Sequence, residues 1–222
     1  MKNTIFGTIG EILCPYSCIS CGKVGGLLCC RCKKYIISGN NWRCLCCGER
    51  LVGRICNQCE LPFLKQYYIG ERTDLLKELV NLYKYQSVRC CSTVFSDLFF
   101  DCFGDFSKKA IVVPLPTIRR HIRERGFDHT KLLAKRLVWR CGGNVTPILK
   151  RKNNTVQVGM DAETRRDQAE KAYCVSGILN NGEEYVLLDD IWTTGSSMLA
   201  ACREMKKAGA KNVSVVLVAK SG

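Results

Sequence analysis

The sequence predicts an α/β fold in which a mainly parallel sheet is flanked by helices and preceded by a small zinc-ribbon module with four-cysteine sites. Four Cys-x-x-Cys pairs crowd residues 18–59. After them, short apolar runs alternate with helical patterns, which is typical of a parallel sheet. The run at 185–188 ends in two acids and a loop of small residues. We therefore expect a cysteine-rich module at 1–62 and the sheet domain at 63–222.

The cysteine module is predicted from ligand spacing. The chain has 17 cysteines, and a two-residue gap lets both thiolates of a pair face one tetrahedral ion. Eight such ligands make two structural zinc sites. The module has few large apolar residues, so its folding should depend on the metal. The expected ligands are Cys18, Cys21, Cys29, Cys32, Cys44, Cys47, Cys56 and Cys59.

Two alternatives to zinc are weaker. Disulfides would suit a secreted chain, and an iron–sulfur cluster also uses four cysteines, but repeated knuckles favour zinc ribbons. The sequence does not fix which pairs share an ion. Consecutive pairing would place the first two pairs on one ion and the last two on the other, whereas interleaved pairing needs longer crossings.

The sheet domain is predicted from hydrophobic periodicity. Buried parallel strands read as short apolar runs, and helices carry one apolar face. The expected elements are an edge strand at 66–69, a helix capped by Thr73, a helix around 94–99, a strand at 110–113, a helix over 132–141, a strand at 185–188, a helix over 198–208 and a strand at 213–219.

Charge and hydropathy limit the class of protein. The formal net charge is +14, which favours polyanionic partners, nucleic acid first, although substrate phosphates could account for part of it. No apolar run is long enough to cross a bilayer. The first residues lack the long apolar core of a signal peptide. These features predict a cytoplasmic protein without a transmembrane segment.

The loop after the strand at 185–188 predicts a ribose phosphate site. Asp189 and Asp190 would lie at the carboxyl end of the strand, and the small residues 193–197 would lead into a helix N-terminus. Free backbone amides and the helix dipole bind phosphate there. Two adjacent carboxylates suit the hydroxyls of a ribose, or a magnesium ion bound to them.

A second group of charged residues follows the strand at 110–113. Four arginines lie within residues 119–125, in a stretch that we interpret as a loop. Ligands of open α/β sheets bind outside the carboxyl ends of the strands, so this loop should lie near residues 189–197. Guanidinium groups match phosphate oxygens, which suggests diphosphate or nucleic acid as the ligand.

Residues 185–197 resemble the phosphoribosyl diphosphate (PRPP) motif of type I phosphoribosyltransferases. The Pro-Leu-Pro at 114–116, with the Arg-Arg and Arg-Glu-Arg-Gly-Phe-Asp that follow, resembles the signature of the ComF/GntX family. That family joins a cysteine zinc module to a phosphoribosyltransferase-like domain. Residues 82–85 resemble its Leu-Lys-Tyr element, and residues 154–166 resemble its Thr-x-x-Gln and arginine segment.

The resemblance implies a type I phosphoribosyltransferase-like domain and, in an enzyme, displacement of diphosphate at the anomeric carbon. Asp189 and Asp190 would be the catalytic residues, holding the ribose diol and Mg²⁺. Residues 153–168 would close over the ligand. The residues expected to bind PRPP are Thr193, Thr194, Gly195, Ser196, Ser197, Arg119, Arg120, Lys84 and Arg165.

The resemblance also implies a role in DNA uptake during natural transformation. Its proteins act on incoming single-stranded DNA at the cytoplasmic side of the membrane, where a helicase or other uptake protein could be the partner. Trp42 would either stack on bases or cover the zinc core, and Trp192 would either pack or offer a stacking face. Two other hypotheses are a non-catalytic single-stranded DNA-binding competence factor and a PRPP-sensing regulator.

Overall fold

The computed structural model describes residues 17–38, 42–72, 74–152 and 172–221. The helices of this part are α1 (Cys30–Ser38), α2 (Asp74–Tyr85), α3 (Cys91–Phe103), α4 (Arg119–Arg125), α5 (His129–Cys141) and α6 (Ser196–Lys207). The strands are β1 (Lys65–Glu71), β2 (Ile111–Pro114), β3 (Asn144–Val145), β4 (Leu149–Arg151), β5 (Tyr173–Val175), β6 (Glu184–Leu188), β7 (Ile191–Trp192) and β8 (Asn212–Lys220).

The main sheet is parallel and has the strand order β1-β8-β6-β2-β3, with β7 paired to the end of β8. Strands β4 and β5 form a separate antiparallel pair. The predicted α/β class is therefore confirmed. The expected edge strand at 66–69 falls within β1, which lies at one edge of the sheet.

Side chains on the central strands alternate between two core clusters. In β6, Val186 and Leu188 belong to one cluster, whereas Tyr185 and Leu187 belong to the other. Successive side chains of a strand point to opposite faces, so the sheet buries both. Helices α2, α3 and α5 contribute to the first cluster, and α6 covers the second. Both faces are buried, which explains why these strands read as continuous apolar runs.

Several elements differ from the expectations. The arginine-rich stretch that we interpreted as a loop contains helix α4, which ends at Gly126 with a left-handed φ of 72°. Strands β3, β4, β5 and β7 were not predicted, because two or three residues are too few to show a period. The proposed cap Thr73 lies outside the described residues.

Both halves of the cysteine module pack against the sheet domain. The Lys33 Nζ of α1 lies 2.7 Å from the Asp97 carboxylate of α3. Farther along the chain, the Leu45 N–H donates to the buried Gln66 side chain over 2.9 Å. The boundary at residue 62 stays a prediction, because module residues share both core clusters. In the described ranges, no helix combines the length and apolar character needed to cross a bilayer.

Candidate functional site

The loops after β2 and β6 lie side by side at the carboxyl edge of the sheet. Pro114 is in register with Leu188, and the Leu115 N–H donates to the Leu188 carbonyl over 2.8 Å. This pairing brings the arginine-rich stretch and the two acids to the same edge, as the parallel order requires.

Asp190 is buried beside two basic side chains. It is 2% exposed; its Oδ1 lies 3.0 Å from Lys84 Nζ, and its Oδ2 lies 3.2 Å from His129 Nε2. Burial alone would raise the pKa of Asp190, but the hydrogen bond with His129 and the charge of Lys84 outweigh it, so the pKa lies below the ordinary value. Asp190 therefore stays ionised and paired inside the fold.

Asp189 faces the open space instead. Its Oδ1 accepts a hydrogen bond from the Asp190 N–H over 2.9 Å, and it lines the two cavities at this edge. Burial and the neighbouring carboxylate of Asp190 raise the pKa of Asp189 to about 8. Of the two acids, Asp189 is thus the one that a ligand or cation can reach and stabilise in its charged form.

His129 is a site residue that the sequence reasoning missed. It is buried at the start of α5. Arg125 Nη1 lies 2.8 Å from its Nδ1 and 3.3 Å from its Nε2, and because a guanidinium only donates, the imidazole is the acceptor in this contact. The available signal was its place directly after the arginine-rich stretch.

Residues 193–197 form a phosphate-sized hollow at the start of α6. The cavity has a volume of about 90 Å³ and is lined by residues 191–198 and Asp189. Gly195 has a φ of 75°, and a Cβ there would lie 2.1 Å from the Trp192 ring. Only glycine therefore fits beneath the first turn of α6, where the Ser196 N–H donates to the Thr194 hydroxyl over 3.4 Å.

Trp192 packs and offers no stacking face. Its ring is 3% exposed and lies edge-on to Phe63 with centroids 6.3 Å apart. Trp42 also packs, and it does so against the sheet domain. Its Nε1 donates to the Tyr68 carbonyl over 2.9 Å, and the Arg54 guanidinium lies 3.7 Å from its ring centroid.

A second cavity, of about 310 Å³, adjoins the phosphate-sized hollow. It contains both acids and Lys84, and its basic wall includes His121 and Arg125 of α4. Arg151 and Tyr173, from the β4–β5 pair, also line it. These four side chains were not among the predicted site residues.

Two predicted arginines lie outside this lining. Arg119 and Arg120 are exposed at the start of α4. The Arg120 Nε forms an ion pair with Glu124 over 2.6 Å. Arg165 lies outside the described residues. Lys84 and the loop 193–197 are therefore the predicted PRPP contacts that the fold gathers around the two acids.

The eight predicted cysteine ligands form two tetrads, and the pairing is consecutive. Within each tetrad the sulfur atoms lie within 4.8 Å of one another. The Cys21–Cys29 and Cys47–Cys56 sulfur distances are both 3.6 Å, close to the roughly 3.8 Å between thiolates around a tetrahedral zinc. No disulfide joins the tetrad cysteines. Each tetrad could therefore hold a zinc ion, and the residues fit that metal.

Two curated proteins are similar to the chain over most of its length. Competence protein F from Haemophilus influenzae (strain ATCC 51907 / DSM 11121 / KW20 / Rd) is 26% identical, covering 85% of this chain and 88% of that protein. Competence protein ComFC from Bacillus subtilis (strain 168) is 25% identical, covering 81% of this chain and 77% of that protein. The chain is thus similar to ComF competence proteins over most of its length. The resemblance read from residues 82–85 and 114–128 is thereby confirmed.

The other comparisons add less. No family model matches the chain. Among solved structures, a purine phosphoribosyltransferase from Pyrococcus horikoshii Ot3 gives a TM-score of 0.34 at 13% identity, over 70% of this chain and 87% of that chain.

Proposed function

We propose that the chain binds PRPP with Mg²⁺ at the carboxyl edge of its sheet and serves in DNA uptake, acting on incoming single-stranded DNA. The observation that supports this best is the position of Asp189. It stands between the hollow of residues 193–197 and a larger basic cavity, which is the arrangement that a sugar with a phosphate at each end requires.

The two cavities suggest how PRPP lies. Its 5-phosphate would occupy the hollow of residues 193–197, where amides and the α6 dipole favour an anion. The ribose diol would meet the Asp189 carboxylate. The diphosphate would then extend toward His121 and Arg125 in the basic cavity. We keep Arg119 and Arg120 as proposed outer contacts, since they begin the same helix.

The residues fit a magnesium ion in the usual way for nucleotide sites. Mg²⁺ prefers oxygen ligands and is commonly held by one or two carboxylates plus substrate phosphates. Asp189 can supply that carboxylate, whereas Asp190 is already paired with Lys84 and His129. Bound there, the ion would neutralise diphosphate charge. Asp190 would act by fixing the position of Asp189 and keeping Lys84 at the cavity wall.

The proposed reaction is substitution at the anomeric carbon. The bond between that carbon and the diphosphate oxygen breaks, and the diphosphate leaves with the electron pair. A nitrogen of the acceptor forms the new bond and releases its proton to solvent. Arg125 and Lys84 would stabilise the departing charge, and both line the cavity where it develops.

DNA uptake is supported by the names of the two curated relatives and by the charge of the chain. Both relatives are competence proteins, and a net charge of +14 favours a polyanionic partner. The same charge supports a second candidate, a single-stranded DNA-binding competence factor in which PRPP acts as a regulator without being consumed.

Diphosphate release tests the proposal. Wild-type protein would be incubated with Mg²⁺, PRPP and a single-stranded oligonucleotide, with Asp189→Asn as the site variant and Asp101→Asn, an exposed acid on α3, as the charge-matched control. Diphosphate release that is lost in Asp189→Asn and kept in Asp101→Asn supports transfer. PRPP binding without release supports the second candidate, and absence of PRPP binding by wild type contradicts both.

A further inference from the structure

The last turn of α2 presents three neighbouring side chains in three environments. Tyr83 is fully buried against Phe95, Lys84 is paired with Asp190, and Tyr85 is 71% exposed. Successive residues of a helix are about 100° apart, which separates these directions. Of the two tyrosines, only Tyr85 leaves its ring available to another molecule.

Tyr85 stands at the rim of the larger cavity, not on an unrelated surface. It lines the same 310 Å³ space as both acids, together with Ile118, which is 41% exposed. Cavities that bind small molecules combine apolar or aromatic walls with a few charged groups. Tyr85 and Ile118 are apolar surface of that kind beside the proposed sugar site.

Exposure alone does not distinguish Tyr85. Tyr35 of α1 is 73% exposed, and single exposed aromatic residues are common on proteins. The difference is position: Tyr35 belongs to the cysteine module, whereas Tyr85 directly follows the lysine that pairs with Asp190. The two tyrosines therefore form a matched pair for an experiment.

The other walls of the cavity indicate what the ring would meet. Arg125 and His121 line it from α4. Arg151 lines it from β4, with its Nη1 3.1 Å from the Tyr173 hydroxyl and its guanidinium 5.5 Å from the Tyr173 ring centroid. Apart from the two acids, the charged groups of this lining are cationic or titratable to cations. A ligand with a flat aromatic part and a negative part satisfies both features.

We infer that Tyr85 is the stacking residue of an acceptor subsite for a nucleotide unit, with the base on the Tyr85 ring and its phosphate near Arg151. The inference rests on the proposed function, because it places this unit beside the anomeric carbon of PRPP. Stacking on an aromatic ring does not depend on which base is bound, because every base has a π face. The unit could come from a free nucleotide or from a DNA strand.

Binding measurements on the full-length chain test the subsite. The probes are dTMP, a short oligothymidylate and an abasic strand of the same length, each added with Mg²⁺ and PRPP. The variants are Tyr85→Ala, Tyr85→Trp and the control Tyr35→Ala, with circular dichroism checking that all three fold. Affinity for PRPP is measured separately in each.

The inference expects Tyr85→Ala to weaken binding of a base-containing probe by about 5- to 100-fold, the range for losing one stacked base. Tyr85→Trp should restore it, Tyr35→Ala should leave it unchanged, and the abasic strand should not respond to any variant. A response of dTMP identifies a free nucleotide as the source, and a response of the oligothymidylate alone identifies a strand.

Three results would overturn the subsite. Wild type could bind neither base-containing probe, Tyr85→Ala could bind both as wild type does, or the abasic strand could lose as much affinity as the oligothymidylate. If PRPP binding persists in these cases, the proposed function stands and only the acceptor subsite fails. If wild type does not bind PRPP, the proposed function fails as well.

Discussion

The sheet domain and the cysteine module bury their apolar residues to different extents. In β8 every residue from Val213 to Ala219 is buried. In the module, by contrast, Val24 is 63% exposed and Val52 is 70% exposed. Hydrophobic burial is the main favourable term in folding, so we expect the sheet to be the more stable region and the module to depend on its cysteine ligands and a metal.

This difference teaches where the two regions can be weakened. The module should respond to chelators and cysteine substitutions, the sheet to cavities and unpaired charges. The proposed site lies on the sheet, at the end of β6. Loss of metal and loss of ligand binding are therefore separate measurements, and each of the following predictions acts on one region while the other serves as its reference.

The largest effect is expected from metal removal. Structural zinc contributes on the order of 10–16 kcal/mol of apparent binding energy in small zinc domains, so a strong chelator should unfold residues 17–59. Hydrogen exchange should show lost protection there while β6 and β8 stay protected. Metal analysis should find two zinc ions per chain before chelation. A content clearly below two, or simultaneous loss of protection in β8, would contradict the comparison.

Replacing Lys84 should destabilise the sheet strongly. Lys84→Met removes the partner of Asp190, whose side chain is 3% exposed, and leaving a buried charge with fewer partners costs about 3–5 kcal/mol. Denaturant unfolding would measure the change, and zinc content should not vary. Lys207→Met is the control: its side chain is 72% exposed beside Glu204, and a surface pair contributes only about 0–1 kcal/mol. Equal effects of the two substitutions would refute the role given to Asp190.

A cavity in the core should also lower the stability of the sheet domain, by a somewhat smaller amount. Leu187 is fully buried in the middle of β6, and Leu→Ala substitutions at such positions cost about 2–5 kcal/mol. We expect Leu187→Ala to lower the denaturant midpoint of the sheet and to leave zinc bound. Release of zinc in parallel with this loss would show that the two regions unfold as one.

An effect of the opposite sign, which grows with pH, is expected for Asp189→Asn. A folded-state pKa of about 8, raised from 3.8, contributes stability that is fully present below the unfolded pKa and is lost as pH rises through the folded pKa. Asparagine does not titrate, so Asp189→Asn does not lose stability in this way as the pH rises. Its melting temperature should therefore exceed that of wild type more at pH 9 than at pH 5. A constant difference between these pH values would show that the Asp189 pKa is not raised.

Much of the fold could be predicted because its signals are local. The Cys-x-x-Cys spacing predicts both tetrads, and continuous apolar runs predict β2, β6 and β8, since these strands are buried on both faces. Helix α4 could not be predicted, because a run of arginines after two prolines shows neither an apolar face nor a cap. Strands β4 and β5 could not be predicted either, because their pairing joins residues more than 20 positions apart.

The candidate site was only partly predictable for a different reason. The adjacent acids and the small-residue loop are contiguous in sequence, so Asp189, Asp190 and residues 193–197 were found together. Which acid is available was not predictable, because it depends on Lys84 and His129, which come from two other helices. Contacts of this kind depend on how the helices pack, and they produce no recognisable spacing pattern in the sequence.

Titration calorimetry with Mg²⁺ and PRPP tests the central claim most directly. Wild type and the control Asp101→Asn should bind with the same affinity, and Asp189→Asn should bind about 10- to 100-fold more weakly, the loss of one hydrogen bond to a charged group. Heat of binding that is absent in wild type, or unchanged in Asp189→Asn, would contradict the claim that this edge of the sheet holds an activated sugar phosphate.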